Sequence, residues 1–320
     1  QVIHKICELV LKYDAVIAME DLNGGFMNSR IKIEKQVYQK FEKMLTEKLS
    51  YLVDKKADPM SDGGLLRAYQ LTNKPDPNKS VQHGMQDGIV FYIPAWCTSK
   101  IDPTTGFVDL LKPKYTNKEE AKDFFKRFQK ICFNEAENMF EFHFHYPDFQ
   151  RGITAGNTDW TVYTNGSRIR TFRNPEKNNQ WDNTDIVLTD AFKALFAEYA
   201  IPCDADMKEA ILAQDSPKFF KELCGLLSLT LQMRNSITGR TDVDYIISPV
   251  KNAAGRFYDS RKAASDLPCD ADANGAYNIA RKVLLFIRRL QAQEESNLMN
   301  KDLEKITNAQ WLSFVQNGHE

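Results

Sequence analysis

The chain has 320 residues, 42% of them hydrophobic and 27% charged, with a formal net charge of -1. That length exceeds what one compact core usually holds, so it predicts two domains or one domain carrying a large insertion, and it excludes a single small module. The near-neutral balance excludes a bulk basic field for nucleic acid, the apolar runs are too short for a membrane span, and the opening QVIHKICELV lacks the charged-then-apolar pattern expected of a secretory signal. A soluble intracellular protein is the expectation. The start at Gln1, inside a periodic segment, suggests a piece of a longer polypeptide.

In chain order, Val2, Ile3, Ile6, Leu9, Val10 and Tyr13 keep helical spacing, and the apolar run Ala15 to Met19 predicts a buried strand. Glu20 and Asp21 stand at its exit, before a Gly24-Gly25 loop. The spacing of Val37, Phe41, Met44, Leu45, Leu49 and Leu52 predicts a long amphipathic helix from Glu34 to about Val53. A polar, Gly- and Pro-containing stretch from Asp58 to Gly88 then delivers a second buried strand, Ile89 to Ile93.

After Pro94 the composition changes, which places a domain boundary there. A helical patch near Glu119 to Phe128 precedes aromatic, alternating segments. Among these, Phe140, Phe142 and Phe144 put His143 and His145 on the opposite, solvated face. Two histidines with no third partner make weak evidence for a metal. The six cysteines are scattered singly with no C-x-x-C pair, so they read as reduced and structural. Asn165-Gly166 between Trp160–Thr164 and Ser167–Phe172 predicts a tight β-hairpin. Helices are predicted at Thr189 to Tyr199, Asp206 to Ala213 and Pro217 to Met233, then a strand at Tyr245 to Val250. The cluster Asp270-Ala-Asp272-Ala-Asn274 opens a helix of about four turns. A last helix, Asn308 to Gln316, is expected to pack on the same core.

Three constellations carry chemistry. Glu20 at a strand exit and Asp272 at a helix mouth are hard oxygen donors on different elements. Two-metal phosphodiester hydrolysis needs such donors, holding two cations roughly 3.5–4 Å apart. Equally, Glu20-Asp21 could merely end a strand while Asp270 and Asp272 cap a helix. Arg234 ends an apolar stripe through Leu227 and Leu231, where it suits either the negative end of a helix dipole or a phosphate. Arg168, Arg170 and Arg173, with Phe172, Lys177 and Trp181, suit a phosphate backbone with stacked bases, or the ordinary alternation of a strand.

The motifs Met19-Glu-Asp-Leu-Asn23 with Gly25-Phe26, Glu34 to Leu45, Leu231-Gln-Met-Arg-Asn-Ser236 and Asp270-Ala-Asp-Ala-Asn-Gly-Ala276 resemble the C-terminal part of the type V-A CRISPR effector, an RNA-guided DNA endonuclease. Phe91 to Pro103 and Phe172 to Gln180 extend the resemblance over essentially the whole chain. It implies an α/β fold: a partial RNase H-like (RuvC) core interrupted by an inserted α+β Nuc domain. Residues 1–93 would be the second RuvC segment, 94–268 Nuc, and 269–320 the third RuvC segment.

By the same resemblance Glu20 and Asp272 hold Mg2+, with Mn2+ as a substitute, and Arg234 brings the target strand to the RuvC site. Ser236 and Asp244 are its neighbours in substrate binding. The implied partners are a CRISPR guide RNA, target DNA and the preceding part of the polypeptide, in the cytoplasm of a bacterium or archaeon, with no membrane. Gly24 and Met27 depart from the family pattern, and Met27 in place of a lysine would modestly weaken DNA binding. The family's first RuvC aspartate has no counterpart in the sequence, so the segment alone is expected to be inactive. The alternative from another class is a catalytically silent nucleic-acid-binding module whose acidic residues only cap structure.

Overall fold

The computed structural model describes residues 1–20, 32–49, 86–87, 89–150, 157–237, 240–291 and 306–317, with Lys56 and Asp58. The expected loop Leu22 to Phe26, with Asp21 before it and Met27 after it, lies outside the described residues. The architecture is mixed α/β, and the chain divides into two compact units: Gln1–Trp96 with Asn278–Ile306, and Cys97–Tyr277 with Thr307–Glu320. Among the described residues, no helix is long and apolar enough to cross a membrane.

In the first unit, α1 (Val2–Tyr13) ends on Asp14, which takes the left-handed conformation at φ 48° and lets the chain reverse into β1 (Ile17–Glu20). The amphipathic helix α2 (Lys32–Leu49) packs against α1. Strand β2 (Gln86–Asp87) pairs antiparallel with β3 (Val90–Ile93), and β3 pairs parallel with β1, bringing Glu20 opposite Ile93. All four β3 side chains are buried, as a parallel strand covered on both faces requires. Phe91 and Ile93 form a core with Val283 and Phe286, where the Phe91 and Phe286 rings meet edge to face at 5.9 Å.

The second unit is built on phenylalanine. Helix α3 (Lys118–Lys126) is capped by Asn117, whose side chain accepts from the Glu120 N–H. Strands β4 (Lys130–Asn134), β5 (Met139–His145) and β6 (Asp159–Tyr163) form an antiparallel sheet, and the short helix α4 (Tyr146–Phe149) follows β5. Alternation on β5 turns Phe140, Phe142 and Phe144 fully inward, as expected. Against them pack aromatic side chains of the helical side, including Phe128, Phe192 and Phe196.

The Asn165-Gly166 hairpin does not form. Strand β7 (Ser167–Asn174) pairs with β8 (Gln180–Val187), while β6 stays with β5. A tight two-residue turn of the Asn-Gly type needs positive φ at both residues. Gly166 has φ 66°, but Asn165 is not among the positive-φ residues. Its side-chain amide instead donates to the Ser248 carbonyl at 3.0 Å. The observed reversal comes after β7, where Asn178 and Asn179 both take left-handed φ, at 52° and 57°.

Helices α5 (Leu188–Glu198), α6 (Lys208–Leu212) and α7 (Pro217–Leu231) follow, the last capped by Ser216 with proline at its first position. Strands β9 (Arg234–Ile237), β10 (Arg240–Lys251) and β11 (Phe257–Asp259) make a second antiparallel sheet. Helix α8 (Ala271–Gln291) belongs to the second unit as far as Tyr277 and to the first unit beyond it.

Helix α9 (Asn308–Gln316), opened by a Thr307 and Gln310 capping box, closes on the second unit. Its fully buried Trp311 donates from Nε1 to the Cys97 carbonyl at 3.1 Å. Gly106, at φ 72°, lies so near the Val315 carbonyl that a side chain there would collide with it. Trp311→Ala is expected to destabilise the chain by about 3–5 kcal/mol, read as a lower urea midpoint, with Trp311→Phe costing clearly less. Equal loss in the two variants would show that ring burial is not what holds α9.

Candidate active site

Arg234 is expected at the end of a helix, but it begins a strand. Helix α7 stops at Leu231, and Gln232 is already extended at ψ 100°. Beyond it, the Ile247 N–H donates to the Met233 carbonyl and Arg234 pairs with Ile246 in the β9–β10 ladder. Its guanidinium is therefore not a helix-dipole partner. Nε and one terminal nitrogen donate to the two oxygens of Asp244 at 2.9 and 2.8 Å, a bidentate fork that fixes the plane. The same terminal nitrogen donates to Asp272 Oδ1 at 2.9 Å. Burial works against the Arg234 charge, but Asp244 and then Asp272 outweigh it and raise its guanidinium further.

Asp244 lies opposite Ser236 in the ladder, so the neighbouring sequence candidates share this corner. The two aspartates at the mouth of α8 differ in role. Asp270 caps the helix, its Oδ1 accepting from the Ala273 N–H at 2.6 Å, whereas the Asp272 carboxylate is largely exposed and reaches Arg234. Asn274, fully buried, ties this turn down by donating to the Ile101 carbonyl at 3.0 Å. Beside Arg234 opens a cleft of about 630 Å³ whose lining includes Ser99, Lys100, Lys112 and Ser236. Lys100 and Lys112 add positive charge that sequence patterning did not single out. They lie far from Arg234 in sequence, and only the fold brings them to one cleft.

Glu20 closes β1 in the first unit. Its backbone carbonyl accepts from the Tyr38 hydroxyl at 3.0 Å, and partial burial raises its carboxyl above the ordinary glutamate value. No described residue donates to that carboxylate. A half-buried oxygen donor with no cation beside it among the described residues fits a hard divalent ion, and so does Asp272, whose Oδ2 has no described partner.

The basic stretch separates into different roles. Arg168 is fully buried, which departs from the expectation that it contacts nucleic acid. Its Nε donates to the Gln232 carbonyl at 2.8 Å, and a terminal nitrogen donates to the Asn165 and Ser167 carbonyls at 3.0 Å each. Burial lowers its guanidinium to about 10, which still leaves it a cation at neutral pH. Arg170 and Arg173 are exposed on the β7–β8 ribbon, and the Arg173 guanidinium lies 4.1 Å from the centroid of the exposed Trp181 ring.

Two measurements check these assignments. Arg168→Leu leaves buried carbonyls without their donor and is expected to cost about 3 kcal/mol of stability, read by urea denaturation. For Glu20, a raised folded-state value means that stability is fully present below the ordinary glutamate range and is lost as pH rises through the folded value. Glu20→Gln should therefore raise the melting temperature at pH 7 without metal. The gain should vanish as pH falls below about 4; a gain that persisted there would contradict it. A family model described as the RuvC nuclease domain matches residues 1–320.

Proposed function

The chain belongs to the RuvC nuclease domain family, and from that premise we propose that it is the catalytic portion of an RNA-guided DNA endonuclease of the type V-A CRISPR class. The mixed α/β architecture is consistent with a RuvC, RNase H-like fold. In this reading residues 94–268 form a Nuc insertion between two RuvC segments, 1–93 and 269–320. The substrate is the pair of DNA strands opened by the guide RNA, and both are hydrolysed at one site.

Glu20 and Asp272 are the carboxylates of this chain that would hold Mg2+, or Mn2+ in its place. When bound, such ions activate water and stabilise the charge that develops on the leaving oxygen. The remaining work falls to the protein. Arg234, its plane fixed by the bidentate bond to Asp244, presents a rigid cation beside Asp272 and the cleft that Lys100 and Lys112 line. A phosphate of the strand to be cut would take the place of Asp272 on the guanidinium, leaving that carboxylate to the cation. Ser236, exposed on the same strand, would donate to the DNA backbone. Arg170 and Arg173 on the ribbon would track a phosphate backbone, with Trp181 as a stacking face. The observation that carries the reading is the Asp244–Arg234–Asp272 clamp in a chain that matches a nuclease family along its whole length.

In the complete, guide-loaded protein, Glu20→Ala or Asp272→Ala should reduce cleavage of both DNA strands by at least about a hundredfold, as expected for loss of a metal ligand or its electrostatic equivalent. Arg234→Ala should slow target-strand cleavage more than non-target-strand cleavage. Arg234→Lys should rescue little, because a lysine cannot make the planar fork. Wild-type rates in the carboxylate variants, together with tighter, magnesium-independent DNA binding, would instead identify a silent binding module.

A further inference from the structure

On the outer face of the β4–β5–β6 sheet, opposite the phenylalanine core, three side chains of metal-ligating type converge. Cys132 on β4 stands directly across from Glu141 on β5, and His143 follows Glu141 on the same face. The Cys132 sulfur lies 3.8 Å from His143 Nε2 and 3.8 Å from Glu141 Oε2, and the latter two atoms are 3.0 Å apart. We infer that Cys132, Glu141 and His143 form a binding site for a borderline transition-metal cation of the zinc class, separate from the nuclease carboxylates, with a fourth position open to water.

The spacing suits such an ion. With ligand bonds of about 2.0–2.3 Å in a tetrahedron, neighbouring donor atoms lie about 3.3–3.6 Å apart. The observed separations differ by a few tenths of an ångström, within reach of small side-chain rotations on a rigid sheet. The atoms that would not face the cation are already held. His143 Nδ1 is 3.0 Å from Thr161 Oγ1 on β6, its direct neighbour in the ladder, and Glu141 Oε1 accepts from Asn134 Nδ2 at 2.8 Å. Outer hydrogen bonds of this kind orient metal ligands and fix the histidine tautomer.

The donor set selects the ion. A thiolate and an imidazole favour zinc-class cations, whereas magnesium prefers oxygen ligands. Burial, and then Glu141, raise the Cys132 thiol above its ordinary value, so it carries a proton when no cation is present. Forming the sulfur–metal bond releases that proton to solvent. His145, the other histidine of the strand, takes no part: its Nδ1 pairs with Asp159 at 2.9 Å. The site spans β4 and β5, with β6 holding the histidine, and would clip the strands on the face that lacks the aromatic core.

The test uses the 320-residue chain, stripped with a chelator and then given Zn2+ or Co2+ alone. Zn2+ should remain bound at one ion per chain after desalting and resist excess Mg2+. Co2+ should give a thiolate-to-metal charge-transfer band, which oxygen ligands at Glu20 or Asp272 would not produce. Cys132→Ser and His143→Gln should each weaken Zn2+ binding at least tenfold. Thr161→Val, one step removed from the cation, should weaken it about tenfold, and Cys203→Ser, at an exposed cysteine, should leave it unchanged. Circular dichroism confirms that each variant is folded. The wild-type cobalt spectrum decides the matter even if Cys132→Ser unfolds. No charge-transfer band in the wild type, or unchanged Zn2+ affinity in folded His143→Gln, would show a plain hydrogen-bonded trio and overturn the site.

Discussion

What the second unit presents at the mouth of α8 depends on where α7 stops, and a buried cation stops it. The last carbonyls of a helix lack partners within it. Here Arg168 supplies donors to the Gln232 carbonyl and, at 3.5 Å, to that of Thr230. The Gln232 side chain reciprocates by donating to the Ile169 carbonyl, and Asn235 accepts the Ile169 N–H. The junction is thereby fastened to β7 from both sides. The two residues between Leu231 and the strand leave Arg234 on β9, where Asp244 across the ladder can fix its guanidinium. A helix continued to Met233 would have carried Arg234 to another orientation and lost that fork.

Charge placement follows from this fastening. Arg168 and Arg234 are both guanidinium groups near the same helix end, yet one is sealed among carbonyls while the other stands half-exposed between two carboxylates. The first serves the fold, and the second, in the function proposed, would exchange a carboxylate for a phosphate. Asp270 and Asp272, two residues apart, divide in the same way: one satisfies the backbone of the helix mouth, and its neighbour faces outward. At the other carboxylate, Glu20, partial burial without a donor among the described residues is the electrostatic condition that a divalent ion would relieve.

Periodicity made most elements legible. The spacing of Val2 to Tyr13, the start at Ser216-Pro217 and the apolar pattern of Asn308 to Gln316 each report local physics, and the helices stand where those signals place them. The errors fall where long-range contacts override local preference. Asn165-Gly166 has the composition of a hairpin turn, but the Ser248 carbonyl claims the asparagine side chain. Arg168 alternates like a surface strand residue, yet helix α7 packs over it and its carbonyls take it in. The Cys132, Glu141 and His143 cluster escaped because its cysteine sits on the neighbouring strand, and strand register is invisible to spacing along one segment. Glu20, Asp272 and Arg234 stood out as candidates from their positions in the chain, but acidic caps and terminal arginines look alike without a fold around them, and motif resemblance was what favoured the functional reading.

The most direct measurement is anomalous diffraction from crystals of the complete, guide- and DNA-bound protein soaked in Mn2+. If Glu20 and Asp272 are the metal ligands of a RuvC nuclease, manganese peaks should lie within about 2.0–2.3 Å of their carboxylate oxygens, with Arg234 on a DNA phosphate rather than on Asp272. Manganese bound elsewhere, with Asp272 still held by Arg234 and Glu20 free of metal, would contradict the assignment.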